Sequence, residues 1–161
     1  NESKPGNGGN FMLPYFVPEM TPKLLEPRVE LLGSAEFRAF GDPPANARAV
    51  VEAQALSMQY HSDWIGEHPE RLRVTGGASK NRAILQILAD VFEARIETLS
   101  VANSAALGGA LRAAQAVEGL PWAELYARFV APEPGVRVLS APGAQQAYAE
   151  LRAKFAHKVP A

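Results

Sequence analysis

The chain is most readily interpreted from the run Arg71-Leu72-Arg73-Val74-Thr75-Gly76-Gly77. Polar and apolar side chains alternate along its first five residues, which predicts a short β-strand, and the two glycines predict a turn at the strand's end. Beyond the turn, Ser79 is expected to cap a helix that continues to Phe92, because apolar residues recur there at spacings of three and four.

Two further elements repeat this order towards the C-terminus. Arg95–Leu99 is a second β-prone run, and Ser104 can cap a helix over Ala105–Val117. A strand, helix, strand, helix series favours neighbouring parallel strands that are joined by right-handed crossovers and covered by helices. The predicted fold class is therefore α/β.

Upstream of this series, the sequence predicts one long helix and an irregular arm. Residues 45–65 contain no proline or glycine and are rich in good helix formers, so we expect a largely buried helix there. Five prolines before residue 28 exclude a helix at the start of the chain. Phe11–Leu13 and Tyr15–Val17 favour an edge strand or a buried irregular arm, with a partly ordered linker as the alternative.

Downstream, two more helices are predicted, over 121–130 and 144–156, with a break at Pro132–Gly135. The last of these should pack back on the domain through Tyr148, Leu151 and Phe155. The chain is thus expected to form part of one domain over residues 1–161. Its parts are a proline-rich arm and loop (1–44), a core (45–117) and C-terminal helices (118–161).

Composition excludes several classes of partner. The chain has 161 residues, is 47% hydrophobic and carries a formal net charge of -1, which fits one soluble domain with a real core. Without a basic patch, neither nucleic acid nor a membrane surface is an expected partner. The absence of cysteine excludes disulfides and thiolate metal sites. Because the chain opens on Asn1 rather than methionine, we expect a piece of a longer gene product.

The segment from Val74 to Asn81 is the best candidate for a binding site. Bare glycine backbone at the C-terminal end of a parallel strand lets a nucleotide approach closely, and ligands of open α/β sheets bind at such ends. The following helix would direct its unpaired N–H groups and positive dipole end to the same crevice. The Asn81 amide can read a base because it both donates and accepts hydrogen bonds. A tight turn without a ligand would use the same glycines and remains the alternative.

Other residues that could carry chemistry are sparse. The three histidines have no second ligand at metal spacing, and Glu52 is either a cleft carboxylate or a salt-bridged helix residue. Asp42, Asp63 and Asp90 do not lie in a glycine turn at the end of a strand. Phosphoryl transfer needs carboxylates or phosphates to hold Mg²⁺. No catalytic or metal-binding residue is therefore assigned within this chain.

Together these motifs resemble the C-terminal domain of the FGGY carbohydrate kinases. The resemblance is most specific over Leu72–Ala114, where Val74–Asn81 stands at the family's adenosine motif and Ala102–Ala110 at its small-residue helix. It extends over about Phe11 to Phe155. The family's fold is actin-like, or ribonuclease-H-like, which implies the C-terminal part of such an ATPase domain.

The resemblance also implies an activity. Gly-Gly-Ala-Ser with a following asparagine, and the run at 102–105, look most like the xylulokinase branch of the family. Such enzymes are cytoplasmic and, with Mg²⁺, transfer the ATP γ-phosphate to D-xylulose, a pentulose, giving xylulose 5-phosphate. Gly76, Gly77 and Ala78 would then line the adenosine and phosphate side, and Asn81 would bond adenine. Ser79 belongs to the same loop.

Two departures from the family pattern limit these implications. Met20 stands where many members have arginine, and the family's Asp-x-Gly phosphate element and base aspartate have no counterpart here. The chain is therefore expected to be catalytic only with its missing N-terminal region as a partner. A non-catalytic actin-like nucleotide-binding or interaction module is the alternative, as is a kinase for ribulose, gluconate or glycerol. Assembly into a homo-oligomer is left open.

Overall fold

A computed structural model describes residues 4–101 and 103–159 of the chain. The strands are β1 (Phe11–Tyr15), β2 (Arg28–Leu32), β3 (Arg71–Val74), β4 (Arg95–Leu99) and β5 (Pro132–Val138). The helices are α1 (Ala35–Arg38), α2 (Pro43–Ser62), α3 (Arg82–Phe92), α4 (Ser104–Glu118), α5 (Trp122–Phe129) and α6 (Ala144–Lys158). The α/β class predicted from the sequence is confirmed. Ala102, which belongs to the predicted small-residue run, lies outside the described residues.

A three-stranded sheet in the order β3-β4-β5 carries the glycine turn. Strands β3 and β4 are parallel, with Arg71 opposite Arg95 and Val74 opposite Thr98, as the sequence predicted. Strand β5 adds to the other edge of β4 in antiparallel orientation. It occupies the segment interpreted from sequence as a break, and that interpretation was wrong. Its prolines are tolerated because an edge strand needs hydrogen bonds on one side only.

The N-terminal arm forms a hairpin rather than a linker. Strands β1 and β2 pair antiparallel in a separate two-stranded sheet, and Phe11, Leu13 and Tyr15 are buried. Of the two structures expected for this arm, the edge strand is confirmed, and the irregular arm is not. Pro14 fits within β1 because both strands of a two-stranded sheet are edges.

Helix α6 closes the main core, as predicted. Its Tyr148, Leu151 and Phe155 are buried in one cluster with residues of β1, α2, α3 and β4. The ring of Phe155 meets that of Phe11 edge to face, with centroids 6.1 Å apart. Burial of apolar side chains of this size contributes roughly 1.5–3 kcal/mol each. The last helix is therefore an integral part of the domain.

Helix α2 is buried along one face only. Asp42 accepts a hydrogen bond from the Ala45 N–H at 3.1 Å and so caps the helix, which begins at Pro43, two residues before the predicted start. Alanines and Leu56 face the core, whereas Met58 and the following Trp64 are 52% and 84% exposed. The expectation that most of this segment is buried was wrong at its C-terminal end.

The helix after β4 begins one residue earlier than predicted. Asn103, rather than Ser104, caps α4, because its side-chain oxygen accepts the Ala106 N–H at 3.0 Å. Among the residues described, no helix has the length and apolar character to span a bilayer. The division of the chain after residues 44 and 117 stays a prediction.

Candidate functional site

The glycine turn lies between β3 and α3. Gly76 has φ 84° and ψ −167°, a conformation that only glycine adopts readily, and Gly77–Lys80 form a 3-10 turn. The Ser79 hydroxyl donates to the Gly76 carbonyl at 2.7 Å. A side chain at Gly77 would meet no other atom within 4 Å, and Gly77 is not in the left-handed region. The turn is thus internally braced and has an open outer surface at Gly77.

Asn81, not Ser79, caps helix α3. Its Oδ1 accepts hydrogen bonds from the N–H groups of Ala83 at 3.0 Å and Ile84 at 3.3 Å, and the helix begins at Arg82. Two of the N–H groups that were expected to face a ligand are therefore already bonded. The Asn81 amide nitrogen makes no hydrogen bond among the described residues, and the side chain is exposed at the end of the turn.

A cleft of about 360 Å³ opens beside the turn. Gly76, Ser79, Lys80 and Arg82 form its first wall. The sheet and α3 supply the rest, with Leu85, Thr98, Leu99, Ser100, Glu133, Val136 and Val138. The lining of the cleft therefore combines apolar side chains with the charged side chains of Lys80, Arg82 and Glu133.

The residues predicted for the site divide between two sides of the turn. Gly76 and Ser79 line the cleft, whereas Gly77, Ala78 and Asn81 are exposed and do not line it. The sequence reasoning missed Arg82, Thr98 and Glu133. Thr98 could have been found from the alternation along β4, but Glu133 could not, because it sits between two prolines in a segment that was interpreted as a break.

A second contact links the carboxyl end of β3 to the start of α4. The Thr75 hydroxyl donates to the Ser104 hydroxyl at 3.1 Å. The serine that was expected to cap α4 instead joins the start of that helix to Thr75, the residue that precedes the glycine turn. The ends of both parallel strands are thus held at one edge of the sheet, where ligands of such sheets bind.

Glu52 is a buried ion-pair residue and does not line the cleft. Its Oε1 lies 2.6 Å from Arg48 Nε and accepts a hydrogen bond from the Tyr148 hydroxyl at 2.7 Å. Burial raises the pKa of Glu52 above its ordinary value of 4.5, although the hydrogen bond from Tyr148 and the charge of Arg48 act in the opposite direction. Of the two interpretations made from sequence, the salt-bridged carboxylate is the correct one.

The three aspartates have structural positions. Asp42 caps α2, Asp63 begins a 3-10 turn, and the buried Asp90 accepts hydrogen bonds from Gln86 and the Ala141 N–H. Across residues 4–101 and 103–159, no three His, Cys, Asp or Glu side chains come together as a group that could hold a metal ion. The side chains present thus do not fit a Mg²⁺ site, and Mg²⁺ stays a prediction for the full-length protein.

The sequence profile of the FGGY family of carbohydrate kinases, C-terminal domain, matches residues 1–117. The xylulose kinase of Rattus norvegicus is 34% identical over 158 residues, which are 94% of this chain and 29% of that protein. This chain therefore spans less than a third of that relative's length.

Solved structures show the same fold. Ligand-bound xylulose kinase from Lactobacillus acidophilus superposes with a TM-score of 0.80 at 22% identity, over 96% of this chain and 31% of that one. Gluconate kinase from the same organism superposes with a TM-score of 0.75 at 21% identity, over the same shares of the two chains. Both of these kinases thus contain the fold of this chain.

Proposed function

This chain belongs to the FGGY family of carbohydrate kinases, and we propose that it contributes the adenosine side of the ATP site in a pentulose kinase. The reaction proposed for the full-length protein is transfer of the ATP γ-phosphate to D-xylulose, giving xylulose 5-phosphate. The near full-length similarity of the chain to a xylulose kinase supports this choice of sugar.

One observation carries the proposal. The glycine turn follows β3 directly, at the edge of the sheet where β3 and β4 both end. Backbone at Gly77 is open, so a phosphate or ribose can approach closer than any side chain would allow. Gly76, Gly77 and Ala78 are proposed to line the adenosine and phosphate side.

Asn81 is proposed to bond adenine through its amide nitrogen. Its Oδ1 is committed to the cap of α3, so the free nitrogen is the group that remains for a base acceptor. Ser79 would act by holding the turn through its bond to the Gly76 carbonyl rather than by touching the nucleotide phosphates. The positive end of α3 and the Lys80 side chain favour an anionic ligand nearby.

The chemistry of phosphoryl transfer is mainly positioning and charge stabilisation. These residues can bind and orient the nucleotide, but no aspartate among those described lies at a strand end where it could take the sugar's proton. We therefore propose that the aspartate that accepts the sugar's proton, the sugar contacts and the residues that hold Mg²⁺ come from the missing N-terminal region of the full-length kinase.

Substitution of Gly77 tests the placement of the nucleotide. In the full-length protein, Gly77→Val should raise the Kd for ATP about tenfold or more, and Gly77→Ala should have a smaller effect, because each side chain occupies space that the ligand needs. The protein itself has room at this position. Isothermal titration measures the Kd, and an unchanged unfolding midpoint serves as the control. An ATP Kd that is unaffected by valine contradicts the placement.

A kinase for another sugar is the second candidate, favoured by the structural similarity to a gluconate kinase. The chain's own residues do not separate the two, since the sugar contacts are proposed to lie outside it. A non-catalytic nucleotide-binding module would use the same turn. Activity of the full-length protein distinguishes these alternatives.

A further inference from the structure

The wall of the cleft that faces the glycine turn carries one carboxylate. Glu133 lies near the start of β5, and Val136 and Val138 of the same strand line the cleft beside it. Because β5 pairs with β4, Glu133 comes close to Thr98, next to the sheet edge where β3 and β4 end.

The Glu133 carboxylate is held in place on one side only. The Thr98 hydroxyl donates to Oε2 at 2.9 Å, and Thr98 is itself 2% exposed, so the donor is fixed by the core. The other oxygen, Oε1, makes no hydrogen bond in the part of the chain that is described. A carboxylate that is oriented by one bond and open at its second oxygen is an acceptor available to a ligand.

Charge restricts what this acceptor can bind. A carboxylate repels phosphate, so Glu133 does not belong against the phosphates, which the open backbone at Gly77 and the cation of Lys80 suit better. If the phosphates lie at Gly76 and Gly77 and the base at Asn81, the ribose passes Ser79 and Lys80, which lie between these residues and line the cleft together with Glu133. The ribose hydroxyls are hydrogen-bond donors, and a carboxylate on ribose hydroxyls is a recurring arrangement in nucleotide-binding α/β folds.

We propose that Glu133 accepts a hydrogen bond from the ribose diol of the bound nucleotide and thereby selects ribonucleotides over deoxyribonucleotides. Thr98 acts as a positioning residue that keeps the carboxylate turned to the cleft. This inference rests on the proposed ATP site and adds to it a specificity residue from a strand that the glycine motif does not include.

The test compares ATP with 2′-deoxy-ATP and 3′-deoxy-ATP in the full-length protein. Wild type should bind at least one deoxy analogue about tenfold more weakly than ATP, as expected for loss of a hydrogen bond to a charged acceptor. Glu133→Ala should weaken ATP binding by a similar factor and leave the affinity for that analogue unchanged. The ratio of the two affinities should then approach one. Glu150→Ala, at an exposed position on α6, is the matched control and should leave the ratio at its wild-type value.

Thr98→Val separates positioning from packing. Valine keeps the shape of the buried side chain but cannot donate to Glu133, so the ratio of ATP to analogue affinity should fall part of the way towards one. In the double variant, the valine should add nothing to Glu133→Ala, because both changes remove the same interaction. A purely structural role for Thr98 would change both nucleotides equally and leave the ratio intact.

The outcomes also distinguish this inference from the proposed function. If wild type binds ATP and neither analogue is discriminated, or if Glu133→Ala weakens all three nucleotides alike, the role of Glu133 is overturned while the ATP site stands. If wild type binds no ATP at millimolar concentration, it is the proposed function that fails.

Discussion

Asn81 combines an observed structural role with the recognition role that we propose for it. Its Oδ1 satisfies two N–H groups at the start of α3, while its amide nitrogen is free at the exposed end of the glycine turn. The cap oxygen and the proposed base-reading nitrogen belong to one planar amide. The helix therefore fixes the direction in which the nitrogen points.

The two roles of Asn81 can be separated by substitution. Asn81→Ala should lose the cap, which costs about 1 kcal/mol, and should also weaken ATP binding. Asn81→Ser should keep most of the cap, because serine is a favoured N-cap residue, yet weaken ATP binding as alanine does. Urea unfolding and ATP titration of the two variants give the answer. If serine restores both stability and ATP affinity, adenine is not read by the amide.

The buried carboxylate of Glu52 predicts a pH dependence of stability. Its pKa is raised in the folded protein, chiefly by burial, so between its ordinary 4.5 and that higher value the folded state binds more protons than the unfolded state. The free energy of unfolding that Glu52 contributes should therefore fall as the pH rises through that window.

Glu52→Gln removes this titration. The difference in unfolding free energy, wild type minus variant, should decrease in urea titrations as the pH rises above 4.5. Glu150→Gln, an exposed carboxylate on α6, is the control and should give a nearly constant difference. Parallel profiles for wild type and Glu52→Gln would contradict a raised pKa.

Among the secondary-structure elements, those with a clear periodicity of apolar residues were predicted correctly, and those without one were not. The alternation in β3, the glycines after it and the apolar spacing of α3 predicted those elements and the parallel pair. Strand β5 was not predicted because two prolines and a glycine lie in its first four residues, and because its pairing with β4 depends on the tertiary structure. The N-cap residues predicted for α3 and α4 were wrong because a serine and an asparagine lie close together at the start of each helix, and either type can cap.

The residues of the candidate site show the same contrast between local and long-range signals. The glycine turn was found from sequence because its backbone needs are local. The opposite wall of the cleft was not, because Glu133 is brought there by strand pairing across 35 residues from Thr98. Which side of the turn each residue faces also required the three-dimensional arrangement.

The glycine-rich turn Pro5–Gly9 packs against α6, and this contact predicts different costs for alanine at two of its glycines. A Cβ on Gly6 would lie 2.8 Å from the Ala147 Cβ, whereas one on Gly8 would meet nothing within 4 Å. Both residues are left-handed, with φ of 73° and 60°, so alanine at either should cost about 1–2 kcal/mol in strain. Gly6→Ala should lose about 1–3 kcal/mol more through overpacking.

Chemical unfolding of the two alanine variants measures this difference directly. Because the backbone strain is common to both variants, it cancels in the difference between their unfolding free energies. That difference therefore reports the contact between the turn and α6. Equal destabilisation of the two variants would mean that α6 moves away without cost and that the turn is only loosely seated.

For the whole molecule, we propose that this chain supplies only the nucleotide side of the kinase reaction. It spans 29% of the length of its rat relative, and no aspartate among its described residues lies at the end of a strand. We therefore predict that full-length protein phosphorylates D-xylulose faster than D-ribulose, gluconate or glycerol, whereas the purified 161-residue chain shows no turnover.

A coupled assay of ADP release over this panel checks both statements. Xylulose phosphorylation by the isolated chain would show that the base lies within it. A different preferred sugar would correct the substrate, and full-length protein that binds ATP but acts on no sugar would support the non-catalytic module.

The buried contacts of α6 also bear on how this polypeptide is made. Glu52 and Phe11 meet their partners Tyr148 and Phe155 only in the last helix, 96 and 144 positions later in the chain. During synthesis, the hairpin and α2 therefore leave the ribosome long before the side chains that cover them. Until α6 emerges, Glu52 lacks the Tyr148 hydroxyl and the Phe11 ring lacks its cover by Phe155, so we expect this stretch of the nascent protein to expose apolar surface that favours aggregation.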